Sequence, residues 1–416
     1  MGKPRKGRDF TIVKVDASQI GDPSWADNLI PGRGGKPKGN LANAALPMRS
    51  APEFAGAFAF DEFRLEIMVV RALPWDSEAG FRPRPWNDMD CLKVTEWLHH
   101  RDIDTSTTDA HNAVALVAGD AAFHPVRDYL AGLQWDQTPR VDRWLSTYLG
   151  APDNEYTSAV GRRFLIGCVA RVMRPGCKLD TMPIFEGAQG IGKSTTLRTL
   201  GGEWFTDEIS DLGSKDAAMQ MRGVWLIEMP ELDALSTKEA SSIKAFLSRT
   251  NDRYRPPYGR TVVEVARQCA FAGSTNVEAY LKDATGGRRF WPVRAARCDV
   301  IRLDRDRDQL WAEAFRLFQA GERWWLDTPQ LEAIAFDEQD QRYVGDPWTE
   351  KIEAFIATRT GVSMTEILCE CLFIDTQRQT RSEQMRVSNV LTSLGWKRRL
   401  ERIGTRRVWR YIPPAE

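Results

Sequence analysis

Gly187-Ala188-Gln189-Gly190-Ile191-Gly192-Lys193-Ser194-Thr195 is the stretch whose reading decides the fold of this 416-residue chain. Its first eight residues fit G-x-x-x-x-G-K-[ST], and the spacing has a mechanical reason. Glycines let successive backbone N–H groups turn inward around a polyphosphate. The lysine reaches the β- and γ-phosphates as a point charge, and the hydroxyl after it ligates Mg²⁺. The flanks agree. Met182 to Glu186 reads as a short buried strand, and Lys193 to Leu200 as a helix that turns its positive end toward the anion. Residues Gly187 to Thr195 are therefore expected to bind ATP, with Mg²⁺ on Ser194.

Downstream, the segment 181–330 alternates strand and helix patterns, as a parallel sheet with covered faces requires. Val224-Trp225-Leu226-Ile227 ends in Glu228, with Glu231 three residues on. An acid at the tip of a buried strand is where a phosphate-loop fold holds its Mg²⁺ or its water-activating base. Cys269 to Asn276 reads as a second buried strand capped by small polar residues, and the Asn276 amide suits orientation of an attacking water. Between the two lie Ile243-Lys244-Ala245-Phe246-Leu247 and Asp252-Arg253-Tyr254-Arg255-Pro256-Pro257-Tyr258-Gly259-Arg260. Two prolines and a glycine between β-rich flanks predict a hairpin or protruding loop. Lys244, Arg253, Arg255, Tyr258 and Arg260 suit a nucleic-acid strand, guanidinium on phosphate and ring on base. A solvated charged turn accounts for the same residues. Arg288 and Arg289, after a glycine turn, either pair with acids of their own chain or reach a neighbouring subunit's nucleotide. The second role is worth roughly 10³–10⁵ in turnover.

Composition narrows the remaining classes. Lys+Arg and Asp+Glu are equal at 57 each, so any case for nucleic acid rests on local patches rather than on net charge. No apolar run approaches the ~18–20 residues of a membrane span. The basic start (Lys3, Arg5, Lys6, Arg8) is followed by no apolar segment, against a signal peptide. Seven cysteines without a C-x-x-C pair, and only four histidines, argue against zinc and for reduced thiols in the cytoplasm.

The Gly-, Pro- and Lys-rich residues 1–50 read as a flexible basic arm, and 51–180 as a mainly helical domain. In the latter, His124 beside Pro125 lacks any partner at ligand spacing and reads as structural. Residues 331–350 look like a linker. Beyond them, Val387, Val390, Leu391 and Leu394 recur at helical spacing, and Trp396–Leu400 and Arg406–Ile412 form a hairpin. Helices followed by a two-stranded wing predict a winged-helix domain over 351–416. Residues 378–410 hold ten Lys or Arg against two Asp or Glu, with Lys397, Arg398, Arg399, Arg406 and Arg407 on the hairpin. That excess is an electrostatic footprint for DNA, although a winged helix that packs only on protein has the same pattern.

Taken together, the loop at 187–194, Trp225-Leu226-Ile227-Glu228-Met229-Pro230-Glu231-Leu232, Tyr254-Arg255-Pro256-Pro257-Tyr258-Gly259, Ser274-Thr275-Asn276 and Thr285-Gly286-Gly287-Arg288-Arg289-Phe290-Trp291-Pro292 resemble the virulence-associated E family. His124-Pro125-Val126-Arg127-Asp128-Tyr129-Leu130 and Pro175-Gly176-Cys177-Lys178 are similar to it too, so the likeness spans roughly 90–330. The resemblance implies a phage or mobile-element ATPase akin to superfamily 3 helicases, an α/β protein with a P-loop AAA+ parallel-sheet core. It implies Lys193 and Ser194 on phosphate and Mg²⁺, Glu228 as the Walker B acid, Asn276 as sensor, and Arg288 or Arg289 as a finger acting between subunits. Superfamily 3 usually sets two acids side by side, whereas Met229-Pro230 separates Glu228 from Glu231, which leaves the water-activating glutamate open. The expectation is a cytoplasmic ring-forming Mg²⁺-ATP hydrolase moving on DNA. The alternatives are a DNA-dependent remodelling or regulatory ATPase, and a nucleotide-gated defence or signalling switch.

Overall fold

A computed structural model describes residues 24–209, 215–230, 237–255, 261–277, 279–281, 287–343, 346–403 and 406–414. Helix α1 (Leu41–Ser50) starts where the Asn40 side chain accepts from the Asn43 backbone N–H, and it buries Ala44, Ala45 and Met48. With Trp25 it joins a core that includes Phe54, Phe58, Val94, Leu98 and Val114. Residues 24–50 are therefore a packed part of a domain and not the arm expected there.

Helices supply most of the regular structure over 51–180, but a small sheet that was not expected accompanies them. Strands β1 (Phe58–Asp61), β2 (Glu66–Val69) and β3 (Arg84–Pro85), helices α2 (Asp88–His99) and α3 (Thr107–Asp120), and strand β4 (Ala122–Phe123) follow in turn. The sheet order is β3-β2-β1-β4, with β4 parallel to β1 and the other pairs antiparallel. Strands of two to four residues are too short to display a period, so they were hidden beneath the helical pattern around them.

Helices α4 (Pro125–Gly132), α5 (Trp144–Leu149) and α6 (Glu155–Met173) belong elsewhere. Their Val126, Trp144, Phe164 and Leu165 pack with Phe185, Leu226, Ala270 and Trp291 of the central sheet. A boundary at 180 would cut through this core.

The central sheet is assembled from β5 (Met182–Glu186), α7 (Lys193–Gly201), β6 (Phe205–Thr206), α8 (Lys215–Gln220), β7 (Leu226–Met229), α9 (Thr237–Leu247), the antiparallel hairpin β8 (Asn251–Tyr254) and β9 (Val263–Ala266), β10 (Ala270–Thr275), and β11 (Phe290–Arg294). Its order is β11-β5-β10-β7-β6, and every pair is parallel. All five residues of β5 and all four of β7 are buried, as expected of strands covered on both faces. Helices α6, α7 and α10 (Val300–Gln319) lie over one face. On the other, Ile184, Ile227 and Phe271 meet Ile243 and Phe246 of α9.

The expected linker 331–350 begins as structure too. Helix α11 (Pro329–Asp340) is capped by Thr328, buries Leu331 and Ala335, and is followed by a bridge from Tyr343 to Leu281. The tail then forms its own core. Helix α12 (Thr349–Ile356), α13 (Met364–Glu366) running into a π turn at Ile367–Cys371, and α14 (Arg381–Ser393) pack against the antiparallel pair β12 (Lys397–Ile403) and β13 (Arg406–Ile412). A bridge from Val362 to Tyr411 extends that pair.

Candidate active site

Three strand tips meet at one end of the central sheet, where β5, β7 and β10 hand over to their loops. After Glu186 the chain turns through Gly187 (φ 150°), Gly190 (φ 82°) and Gly192 (φ 102°), conformations that L side chains resist. At Gly187 space matters as well, since a Cβ there would lie 2.3 Å from the Ala295 carbonyl oxygen. Ala188, Gln189 and Gly190 form an exposed rim, and Ile191 and Gly192 are partly covered. Helix α7 then starts at Lys193 with no side chain capping its N-terminus. Its first N–H groups and its positive pole face the loop. Ser194 and Thr195 are exposed on this first turn.

Lys193 is buried, yet each of its ammonium protons has an acceptor. Nζ donates to Gly187 O (2.7 Å), Ala188 O (3.0 Å) and Asn276 Oδ1 (2.9 Å). Burial pushes its pKa below the ordinary lysine value. Across the tip, Glu228 is 2% exposed. Its Oε1 accepts from Ser194 Oγ (2.6 Å) and Ser274 Oγ (2.6 Å), while Oε2 is buried with no hydrogen-bond partner among the described residues. The β7–β10 register explains the second donor. Ala272 pairs with Glu228, and Ser274, two residues on, shares its face. Ser274 enters the sequence reading only as part of a strand-tip motif, and its role beside Glu228 was missed.

The same end of the sheet carries a second network. Glu186 projects to the opposite face, as alternation requires, and accepts from Tyr280 Oη (2.7 Å) and from Arg342 Nε (3.0 Å) and Nη2 (3.0 Å). Arg342 also pairs with Glu338, and its carbonyl accepts from the Tyr280 and Leu281 N–H groups. Thus the residue before the glycine loop is tied to the end of α11, a link of 156 residues with no trace in sequence spacing.

The arginine pair sits at the other end. Phe290 pairs with Met182 at the start of β5, so Arg288 and Arg289 are a strand length, roughly 13 Å or more, from the glycine loop of their own chain. Arg289 is half-buried, donates to Ser248 Oγ (3.1 Å) and approaches Asp180 (3.8 Å). Arg288 is exposed and makes no hydrogen bond or ion pair among the described residues.

Of the expected nucleic-acid residues, Arg253 and Arg255 are exposed on and just beyond β8. Lys244 is not a surface group: it is 6% exposed, with its ammonium over the Phe290 ring, because α9 turns it toward β11. Burial removes it from any strand-binding surface. Lys397, Arg398, Arg399 and Arg407 are exposed on the tail hairpin, and Arg406 opens β13. Glu231, Tyr258 and Arg260 lie outside the described residues, as do 1–23. His124 is structural as expected. Its Nδ1 accepts from the Arg127 N–H at the start of α4, and Nε2 donates to Gln268 Oε1 (2.8 Å). All seven cysteines are unpaired thiols. Among the described residues no group of three or more His, Cys, Asp or Glu could hold a metal, and no helix is long and apolar enough to cross a membrane.

No curated protein matches the chain in sequence. Solved structures of the NrS-1 C-terminal region are similar at 11% identity, covering 86% of this chain and 96% of theirs. An apo structure superposes with a TM-score of 0.45, and two of its A form with 0.43 and 0.44. The sequence pattern of the virulence-associated protein E-like domain matches residues 130–344, just over half of the chain. That span holds the glycine loop, Glu228, Asn276, the arginine pair and Arg342, and the chain belongs to the virulence-associated protein E-like family.

Proposed function

We propose that this protein is a Mg²⁺-dependent ATP hydrolase that works on DNA in the replication of a phage or mobile element, with each site completed by a neighbour in a ring. One observation carries the reading: a buried lysine held by its own loop's carbonyls and by Asn276, at an uncapped helix start, opposite Glu228. A triphosphate supplies stronger acceptors than those carbonyls, and the helix pole adds to the attraction. The sheet order, with β10 between β5 and β7, supports an AAA+-type core. The order of α12 to β13 supports a winged-helix tail.

The residues fit Mg²⁺. Glu228 keeps one buried oxygen without a partner among the described residues, next to the Ser194 hydroxyl. Mg²⁺ takes few protein ligands and leaves most positions to water and phosphate, so the absence of a carboxylate cage among the described residues agrees with it. When bound, it neutralises charge on the β- and γ-phosphates. Lys193 holds the same phosphates, Asn276 senses the γ-position and orients water, and Glu228 or Glu231 accepts the proton of that water. Arg288 is too far from its own loop and is unpaired among the described residues, so it is the better finger for an adjacent subunit. Arg253 and Arg255, with Tyr258 and Arg260, engage one DNA strand.

Phosphate release and displacement of a forked DNA strand test this reading. The wild-type chain should do both, with turnover stimulated by DNA. Stimulated turnover without displacement would replace unwinding with remodelling. Full turnover in Lys193→Ala would remove the nucleotide site.

A further inference from the structure

The tail domain carries two chemically different surfaces side by side. We infer that they divide the recognition of duplex DNA, with α14 selecting sequence in the major groove and the β12–β13 hairpin holding the phosphates beside it. The inference rests on the tail being a DNA-binding domain and adds what that domain reads, and with which residues.

Helix α14 buries Val387, Val390 and Leu391. Around the rest of its surface Arg381, Gln384, Met385, Asn389 and Thr392 are exposed, with Gln384 bordering the buried stripe. Arg381, Gln384 and Asn389 make no side-chain hydrogen bond or ion pair among the described residues. These three side-chain types pair bidentately with base edges, guanidinium with guanine and amides with adenine. No carboxylate lies among these exposed positions. Glu383 is used in a capping box with Thr380, and Arg386 is held by Asp346 over the Trp348 ring. A 13-residue helix is roughly 20 Å long and slim enough for a major groove about 12 Å wide.

The hairpin continues that surface. Cross-strand pairing puts Arg398 with Tyr411, Leu400 with Trp409 and Arg402 with Arg407, all on one face of β12–β13. At its base Tyr411 is buried and donates through Oη to Ser388 Oγ (2.8 Å) of α14. The same face therefore runs outward past the helix, where Leu400, Arg402, Arg407 and Trp409 are exposed and Arg398 lies over the Trp409 ring. Cations there meet phosphates whatever the sequence, which fixes orientation but not specificity. The local excess of eight positive charges over 378–410, ten against two, matches a polyanion.

The test uses the full chain and a pool of random-sequence duplexes, with bound duplexes selected and sequenced and affinities measured by fluorescence anisotropy. Wild type should enrich a sequence. Gln384→Ala/Asn389→Ala should bind unselected duplex within about twofold of wild type, yet lose about 5- to 100-fold in preference for the enriched sequence. Arg398→Ala/Arg407→Ala should weaken both alike and reduce the salt slope by about one for each phosphate no longer neutralised. All four residues are exposed, so melting temperatures should not move. If wild type enriches nothing, or the amide variant loses both affinities equally, α14 does not read sequence, although the domain still binds DNA. If the arginine variant binds like wild type, the tail is not the DNA-binding domain and the inference fails with that reading.

Discussion

Lys193 is buried, and its ammonium is held by groups of the site itself, two loop carbonyls and Asn276. Lys193→Ala should lower ATP turnover by at least about 10²–10³, the usual effect of deleting one preorganised electrostatic contact, and phosphate release measures it. The glycines of the loop should differ among themselves. At Gly190 nothing lies within 4 Å of an added Cβ, so Gly190→Ala costs only left-handed backbone strain, about 1–2 kcal/mol. At Gly187 the Cβ meets a backbone oxygen that cannot move aside, so Gly187→Ala should abolish nucleotide binding in a fluorescent-nucleotide titration. His124 gives a pH prediction. Burial lowers its pKa below the ordinary 6.5, so the unfolded chain takes up a proton that the native chain refuses. Stability should hold above pH 6.5 and fall as pH drops below it toward the folded pKa. His124→Asn keeps a helix cap without the titration, and urea unfolding at pH 7 and pH 5.5 should show a shallower loss than in wild type.

Elements act through register and through ties between them. Pairing of β7 with β10 delivers Ser274 to Glu228, so Ser274→Ala removes one of two hydroxyls that aim the carboxylate. The Mg²⁺ concentration giving half-maximal turnover should rise about 10- to 100-fold with the fold intact, as for other groups that orient a metal ligand. Helix α11 is tied to β5 by the Glu186–Arg342 pair, of which both side chains are largely buried. Arg342→Met leaves Glu186 with Tyr280 alone, and breaking such a pair from one side costs about 3–5 kcal/mol. Chemical denaturation should show that loss. It falls on the core, because the pair anchors the strand beneath the glycine loop.

At the scale of the whole molecule, the separation between Arg288 and its own loop makes a prediction about assembly. If the finger acts between subunits, Arg288→Ala and Lys193→Ala should each be inactive alone. A mixture that co-assembles has about a quarter of its interfaces with both residues intact, and it should recover turnover. No recovery from a mixture shown to co-assemble would rule out Arg288 as a finger in trans. The four apolar cores among the described residues also show how the molecule is built: one under the N-terminal sheet, one on each face of the central sheet, and one in the tail.

The glycine loop, the strand before it, the helix after it and the acid at the tip of β7 were legible in the sequence by itself. Each is a local feature, set by backbone conformations that few residues adopt and by runs of apolar residues that only a covered strand tolerates. The tail hairpin and α14 were legible for the same reason. What only the tertiary structure decided is who meets whom. Ser274 reaches Glu228 through a strand pairing, and Arg342 reaches Glu186 across 156 residues of chain. Lys244, a charge that sequence reading puts outside, is folded against Phe290 by the turn of its helix. The N-terminal sheet escaped notice because its strands of two to four residues complete at most two alternations, too few to stand out from the helical pattern around them. Local conformation is encoded by neighbours along the chain, whereas pairing depends on how separate apolar faces find cover, and many partners satisfy that demand equally until the whole chain is packed.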